Sequence, residues 1–188
     1  MPAASKTFRI FISSPFSDLK AERNALQAKV FPELRAFCAE HGARFQAIDL
    51  RWGISQEASR DQQTVKICLD EIARCQAITP RPNFLVLLGD RYGWCPPPAE
   101  IPKDEWDTLK RVIPADDLPL VEKWYRRDDN ADPPVFVLQP WEGLSYDTWG
   151  KVEARLQHIL SRAAGEAGLP EATRFKYWAS ATHQEIAG

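Results

Sequence analysis

The chain has 188 residues, 44% of them hydrophobic and 27% charged, which is the composition of a folded globular domain rather than a disordered tail or a collagenous rod. Its 24 basic and 26 acidic residues leave a net charge of −2, so no global electrostatic case exists for nucleic acid or anionic membrane. The longest apolar run, Phe84 to Leu88, is far too short to span a bilayer.

The first residues, Met1 to Lys6, contain no apolar core of a secretory signal. Phe8 to Ile12 is a β-branched and aromatic run that ends at Ser13-Ser14-Pro15 and reads as a first strand. A helix is expected from about Ser17, with Leu19, Leu26, Val30, Leu34 and Phe37 at helical spacing and Asp18 and Glu22 at its electropositive start. Pro32 falls inside that pattern and predicts a kink or a restart. His41-Gly42 has the form of a glycine C-cap. Phe45 to Leu50 is the second strand, followed by a long polar loop, Arg51 to Asp61. Val65, Cys68, Leu69, Ile72 and Cys75 then form one helical stripe, so Thr64 to Gln76 is expected to be an amphipathic helix that buries all five.

Asn83 to Leu88 reads as a third strand buried on both faces, with Gly89 to Trp94 after it. Cys95 to Pro102 is proline-dense and is expected to be irregular. Short helices are expected near 104–112 and 117–127, a solvated turn over Asp128 to Asp132, and a fourth strand over Val135 to Leu138. A long helix from about Ser145 to Ala164 is expected to end at Gly165 and Gly168, with a fifth strand over Arg174 to Trp178. Thr182 and Glu185 have capping-box spacing at the start of a last helix. The order β-α-β-α-β-α-β-α-β predicts a flavodoxin-like three-layer sandwich with a five-stranded parallel sheet, order 2-1-3-4-5. It covers residues 1–179. Residues 180–188 are expected to begin a linker helix towards a further C-terminal module.

In such a sheet, ligands bind beyond the carboxyl ends of the strands. Those ends hold Ser13, Ser14 and Phe16; then Asp49, Arg51 and Trp52; then Asp90, Arg91, Tyr92 and Trp94. Hydroxyls, guanidinium groups and flat rings together suit a nucleotide. Each has a structural reading too. The serines can cap the first helix, the tryptophans can pack loops, and Arg51 and Arg91 can tie loops through Asp49 and Asp90. No phosphate-binding P-loop, dinucleotide fingerprint, nucleophile elbow or zinc-protease helix is present. Cys38, Cys68, Cys75 and Cys95 form no C-x-x-C pair, and the three His lie far apart. Reduced cytoplasmic thiols are expected, and no metal site.

Several segments together carry a resemblance. They are Phe11-Ile12-Ser13-Ser14-Pro15-Phe16-Ser17-Asp18 with Glu22-Arg23, Val30-Phe31-Pro32-Glu33-Leu34, Asp49-Leu50-Arg51-Trp52-Gly53-Ile54, Cys68 to Cys75, and Leu87 to Trp94. The chain resembles the TIR-like domain of unknown function at the N-terminus of large STAND NTPases, among them NACHT and WD-repeat proteins and telomerase-associated relatives. The resemblance implies a TIR fold in an effector or signalling module that works by self-association, in bacteria as part of NLR-like anti-phage defence. Its partners would be its own C-terminal NTPase and sensor modules and further copies of itself, with no required cofactor. The alternative implied is an enzyme that cleaves the N-glycosidic bond of NAD or a related nucleotide. Some TIR domains do so with a Glu in a W-C-x-x-E motif. Here Trp94-Cys95 is present, Pro98 stands at the Glu position, and Glu100 and Glu105 are the nearest candidate catalytic carboxylates.

Overall fold

A computed structural model describes residues 6–15, 18–50, 62–79 and 81–187. The chain divides into two compact units. One comprises 1–54, 64–93 and 185–188, the other 55–63 and 94–184.

The first unit is built on a parallel sheet of β1 (Lys6–Ser13), β2 (Ala43–Ile48) and β3 (Phe84–Val86), in the order β2-β1-β3. Phe11 of β1 lies opposite Ile48 of β2 and Phe84 of β3. Alternation along β1 sends its side chains to two separate cores. Phe11 packs with Cys68, Ile72 and Cys75 of helix α3 (Thr64–Ile78), and its ring stacks parallel to Phe84 at 6.0 Å. Ile12 packs on the other face with Phe31, Cys38 and Phe45. That face is covered by α1 (Lys20–Ala25), a π-helical segment (Leu26–Val30) and α2 (Phe31–Glu40).

The π segment stands where Pro32 predicts a break. Pro32 cannot donate a helical hydrogen bond, and the Phe31 N–H bonds the Leu26 carbonyl five residues back. Gly42 follows α2 at φ +69°, the left-handed turn expected of the His41-Gly42 cap. The α3 stripe is narrower than the periodicity suggests: Cys68, Ile72 and Cys75 are buried, whereas Val65 and Leu69 are half-buried. β3 is half-buried throughout rather than enclosed on both faces.

The second unit departs from the expected five-stranded parallel sheet. Val135–Leu138 is a strand, but it is β6 of a separate antiparallel sheet ordered β4-β6-β5. β5 (Tyr125–Asp128) and β6 are joined by six residues, which permits only a hairpin. Asp128 Oδ1 accepts from the Asn130 N–H at 2.9 Å inside that turn, so the acidic stretch is the solvated connection expected. β5 occupies the end of the expected 117–127 helix, of which α5 (Leu118–Trp124) remains, and α4 (Lys103–Lys110) precedes it. β4 (Glu100–Pro102) lies in the proline-dense stretch read as irregular. Proline is tolerated there because β4 is an edge strand.

The expected fifth strand is instead α7 (Glu171–Trp178). Its aromatic residues imitate a strand pattern, but Pro170 opens a helix and Glu171 pairs with Arg174 one turn on. The long helix α6 (Tyr146–Glu166) starts as expected, with Ser145 Oγ accepting from the Thr148 N–H at 3.2 Å. It runs through Gly165. The core of this unit is aromatic. Trp106 stacks on Phe136 at 4.1 Å, and Trp124 and Trp141 both pack on Trp149.

The last helix, α8 (Ala181–Ala187), is capped by Ser180, whose Oγ accepts from the His183 N–H at 3.2 Å, rather than by Thr182. Among the described residues, no helix is long and apolar enough to cross a membrane.

Burial decides where the α3 stripe matters. Ile72, only 3% exposed, sits in the core against Phe11, so Ile72→Ala should cost about 2–5 kcal/mol, whereas half-buried Leu69→Ala should cost less than about 2. Urea denaturation of the two variants measures both, and equal losses would contradict the packing.

Candidate functional site

The crossover from β1 to β2 runs over one face of the parallel sheet and the return to β3 over the other. The carboxyl ends of these strands are therefore the natural ligand crevice. The structure brings together three residues expected there, Ser13, Ser14 and Asp49. It brings them together around a residue that was not singled out, Arg23.

Arg23 stands on α1 with its side chain 3% exposed, and Asp49 is equally buried. Arg23 Nη2 donates to Asp49 Oδ1 at 2.7 Å and Nε to Oδ2 at 3.3 Å, a bidentate pair. Nη2 also donates to the Ile12 carbonyl at 2.9 Å, and Nη1 to the Ser14 carbonyl at 3.4 Å and to Ser14 Oγ. One guanidinium thus joins the end of β1, the start of α1 and the residue after β2. A buried pair is tolerable only when its remaining hydrogen-bonding capacity is met in this way.

Ser13, 1% exposed, donates its hydroxyl to Glu185 Oε2. The Cys68 thiol lies beside the same carboxyl group and favours its charged form. Burial pushes the Glu185 carboxyl above the ordinary carboxylate range, against the smaller pull of Ser13, Cys68 and Arg23. The Cys68 thiol is also pushed up, first by burial and then by Glu185. This side of the crevice retains only about 20 Å³ of free space, lined by Ser13, Ser14, Arg23, Leu50, Cys68 and Glu185 among others.

The loop after β3 is held differently from the local Asp90–Arg91 tie expected. Asp18 Oδ2 accepts from the Arg91 N–H at 3.1 Å. The same carboxylate lies against Gly89, where a Cβ would approach it to 2.5 Å, so a larger residue there would push the Asp18 side chain aside. Asp90, Arg91 and Tyr92 are exposed on this loop. Phe16, Arg51 and Trp52 lie outside the described residues.

Trp94, Glu100 and Glu105 belong to the second unit. Trp94 Nε1 donates to Glu153 at 3.0 Å, and Trp149 Nε1 to the same carboxylate at 3.2 Å. Burial raises the Glu153 carboxyl, and the two indole bonds only partly offset it. Glu100 is exposed on β4. Glu105 accepts from Tyr177 Oη at 2.6 Å and pairs with Lys176 at 2.9 Å, so it ties α4 to α7. Among the described residues, no group of three or more His, Cys, Asp or Glu is placed to hold a metal ion. No disulfide joins Cys38, Cys68, Cys75 and Cys95.

Sequence reasoning passed over Arg23 because an arginine four residues into an amphipathic helix ordinarily faces water. Glu185 was read as half of a capping box, a local role that hid its long-range one.

Two outcomes follow from this geometry. Arg23→Lys keeps the charge but loses the fork, and should lower stability by roughly 2–3 kcal/mol in urea denaturation. Glu185, with its folded-state value raised, binds its proton more readily in the native chain than in the unfolded one. Stability should therefore fall as pH rises from the ordinary carboxylate range through the raised Glu185 value, and level off above it. Glu185→Gln should remove that decline, so its melting temperature should gain on the wild type between acidic and neutral pH. A gap that is constant with pH would count against it.

The family described as "Domain of unknown function (DUF4062)" matches residues 9–112, more than half of the chain. NACHT domain- and WD repeat-containing protein 1 of Mus musculus is 42% identical over 151 residues, 79% of this chain and 10% of that protein. NACHT and WD repeat domain-containing protein 2 of Homo sapiens is 36% identical over 140 residues, 73% of this chain and 8% of that protein. Telomerase protein component 1 of Mus musculus is 39% identical over 142 residues, 72% of this chain and 5% of that protein. The chain thus spans a tenth or less of these relatives. No solved structure matches it. The chain belongs to the DUF4062 family, a domain of unknown function shared with NACHT and WD-repeat proteins.

Proposed function

We propose that this chain is a TIR-like signalling module of a larger STAND-type protein and acts by self-association when its NTPase and sensor modules release it. The observation that carries the reading is the company it keeps: its relatives are large NACHT and WD-repeat proteins, in which the matched part is a small fraction. The order β2-β1-β3 agrees with the first three strands of the flavodoxin-like arrangement that a TIR module requires. A defence role in the bacterial cytoplasm belongs to the same proposal.

Two features favour binding over turnover. Ser13, Ser14 and Asp49 spend their polar groups on Arg23 and Glu185. Glu105 spends its carboxylate on Tyr177 and Lys176. The NAD-cleaving alternative would need Glu105 to be freed, or would fall to Glu100, which is exposed on β4.

An assembly surface needs exposed apolar atoms. Leu88, 64% exposed on the loop after β3, offers them, with Tyr92 close by in sequence. The proline-dense Pro96–Pro102 segment contributes less of it, because Pro96, Pro97 and Pro98 are buried.

Light scattering of the full-length protein with nucleotide and activator should show an oligomer. Leu88→Asp should reduce the assembly and leave the melting temperature of the chain within a few degrees, as a surface change does. Nicotinamide release from NAD should stay at background. An active full-length protein that remains monomeric would overturn the reading, and nicotinamide release by it would favour the enzyme.

A further inference from the structure

A second cavity shares the Glu185 side chain with the strand-end network and otherwise has different walls. It holds about 500 Å³, within the range of small-molecule sites. Its wall is formed by the C-terminal half of α3, the loop entering β3, and the last turn of α8. The lining is chemically mixed. Arg81 brings a cation. Gln76 and Asn83 bring amides that can donate and accept. Phe84 brings a flat ring, and Glu185 a carboxyl group. Ile72 and Ile186 supply apolar wall.

Existing bonds occupy only part of this polar capacity. Asn83 Nδ2 donates to the Thr79 carbonyl at 3.1 Å, which fixes the side chain and leaves its amide oxygen as an acceptor. Phe84 stacks on Phe11, which holds the ring rigid in the wall. Gln76 and Arg81 are exposed at the mouth. A ligand that satisfies such a lining carries a flat heterocycle with hydrogen-bonding edges and an anionic group. A phosphate suits the Arg81 guanidinium, and a base suits the Phe84 ring and the Gln76 and Asn83 amides.

We infer that this cavity, formed by α3, the β3 entry loop and the last turn of α8, binds a mononucleotide, with its phosphate on Arg81 and its base among Gln76, Asn83 and Phe84. This places nucleotide recognition away from the carboxyl ends of the strands. It also gives the ligand a mechanical consequence. Glu185 and Ile186 of α8 are part of the wall, so an occupied cavity holds the last turn of that helix against α3 and the β3 entry loop. The inference does not depend on self-association, and either can fail alone.

Isothermal titration calorimetry of the 188-residue chain with AMP tests it, with inorganic phosphate and adenosine titrated separately to assign the two halves of the site. AMP should saturate at sub-millimolar to millimolar concentration, each half alone binding more weakly. Arg81→Glu should weaken AMP by at least ~10-fold, and Gln76→Trp, which fills the mouth from an exposed helical position, should abolish binding. Both substitutions are at the surface and should leave the melting temperature nearly unchanged. Amide exchange in α8 should slow when AMP is bound. Absence of saturable AMP binding overturns the inference, as does AMP affinity that is the same in Arg81→Glu and Gln76→Trp as in the wild type.

Discussion

The first unit depends on one buried ion pair. Removing a guanidinium and a carboxylate from water costs several kcal/mol for each ion, and the return is adequate only if every remaining donor finds a partner. Arg23 meets that condition. It grips both oxygens of Asp49 and reaches the carbonyls of Ile12 and Ser14, so three chain segments meet on one planar group. The pair sits where a doubly wound sheet ordinarily leaves a crevice. The polar side chains there therefore support the structure first. Ser14 answers Arg23, Ser13 answers Glu185, and the space between them nearly closes.

The same logic of buried acids recurs in the second unit with other partners. Glu153 relies on the indole N–H groups of Trp94 and Trp149. Neutral donors stabilise a carboxylate less than a guanidinium does, which is why burial dominates its proton affinity. The abundance of tryptophan is explained largely by packing. Trp106, Trp124, Trp141 and Trp149 form the aromatic core, and Trp94 uses its N–H on Glu153. A unit with short strands and short helices closes its core with a few large rings instead of many aliphatic side chains.

Periodicity and turn chemistry made much of the first unit legible. β1, β2, α3 and the Gly42 cap all announce themselves locally, and the break at Pro32 follows from one missing N–H. What stayed hidden was non-local. Nothing near Arg23 in sequence marks it as buried, because its partner Asp49 is 26 residues away. Glu185 pairs with Ser13 across 172 residues, and a plausible local cap concealed it. In the second unit, alternation of strand and helix signals implied one continuous sheet. The six-residue connection between β5 and β6 overrides that inference, since so short a link cannot return a parallel strand. Phe175, Tyr177 and Trp178 have strand-like composition, yet Pro170 and the Glu171–Arg174 pair favour a helix.

The central claim is that Arg23 and Asp49 act as a unit that holds the strand ends closed. A double-mutant cycle with Arg23→Met, Asp49→Leu and the pair, followed by urea denaturation, measures it most directly. Each single substitution leaves an uncompensated buried charge, whereas the double substitution leaves none. The double variant should therefore be less destabilised than either single variant, with a coupling energy above about 2 kcal/mol. Losses that add to within about 0.5 kcal/mol would show that the two residues act independently, and would contradict the account.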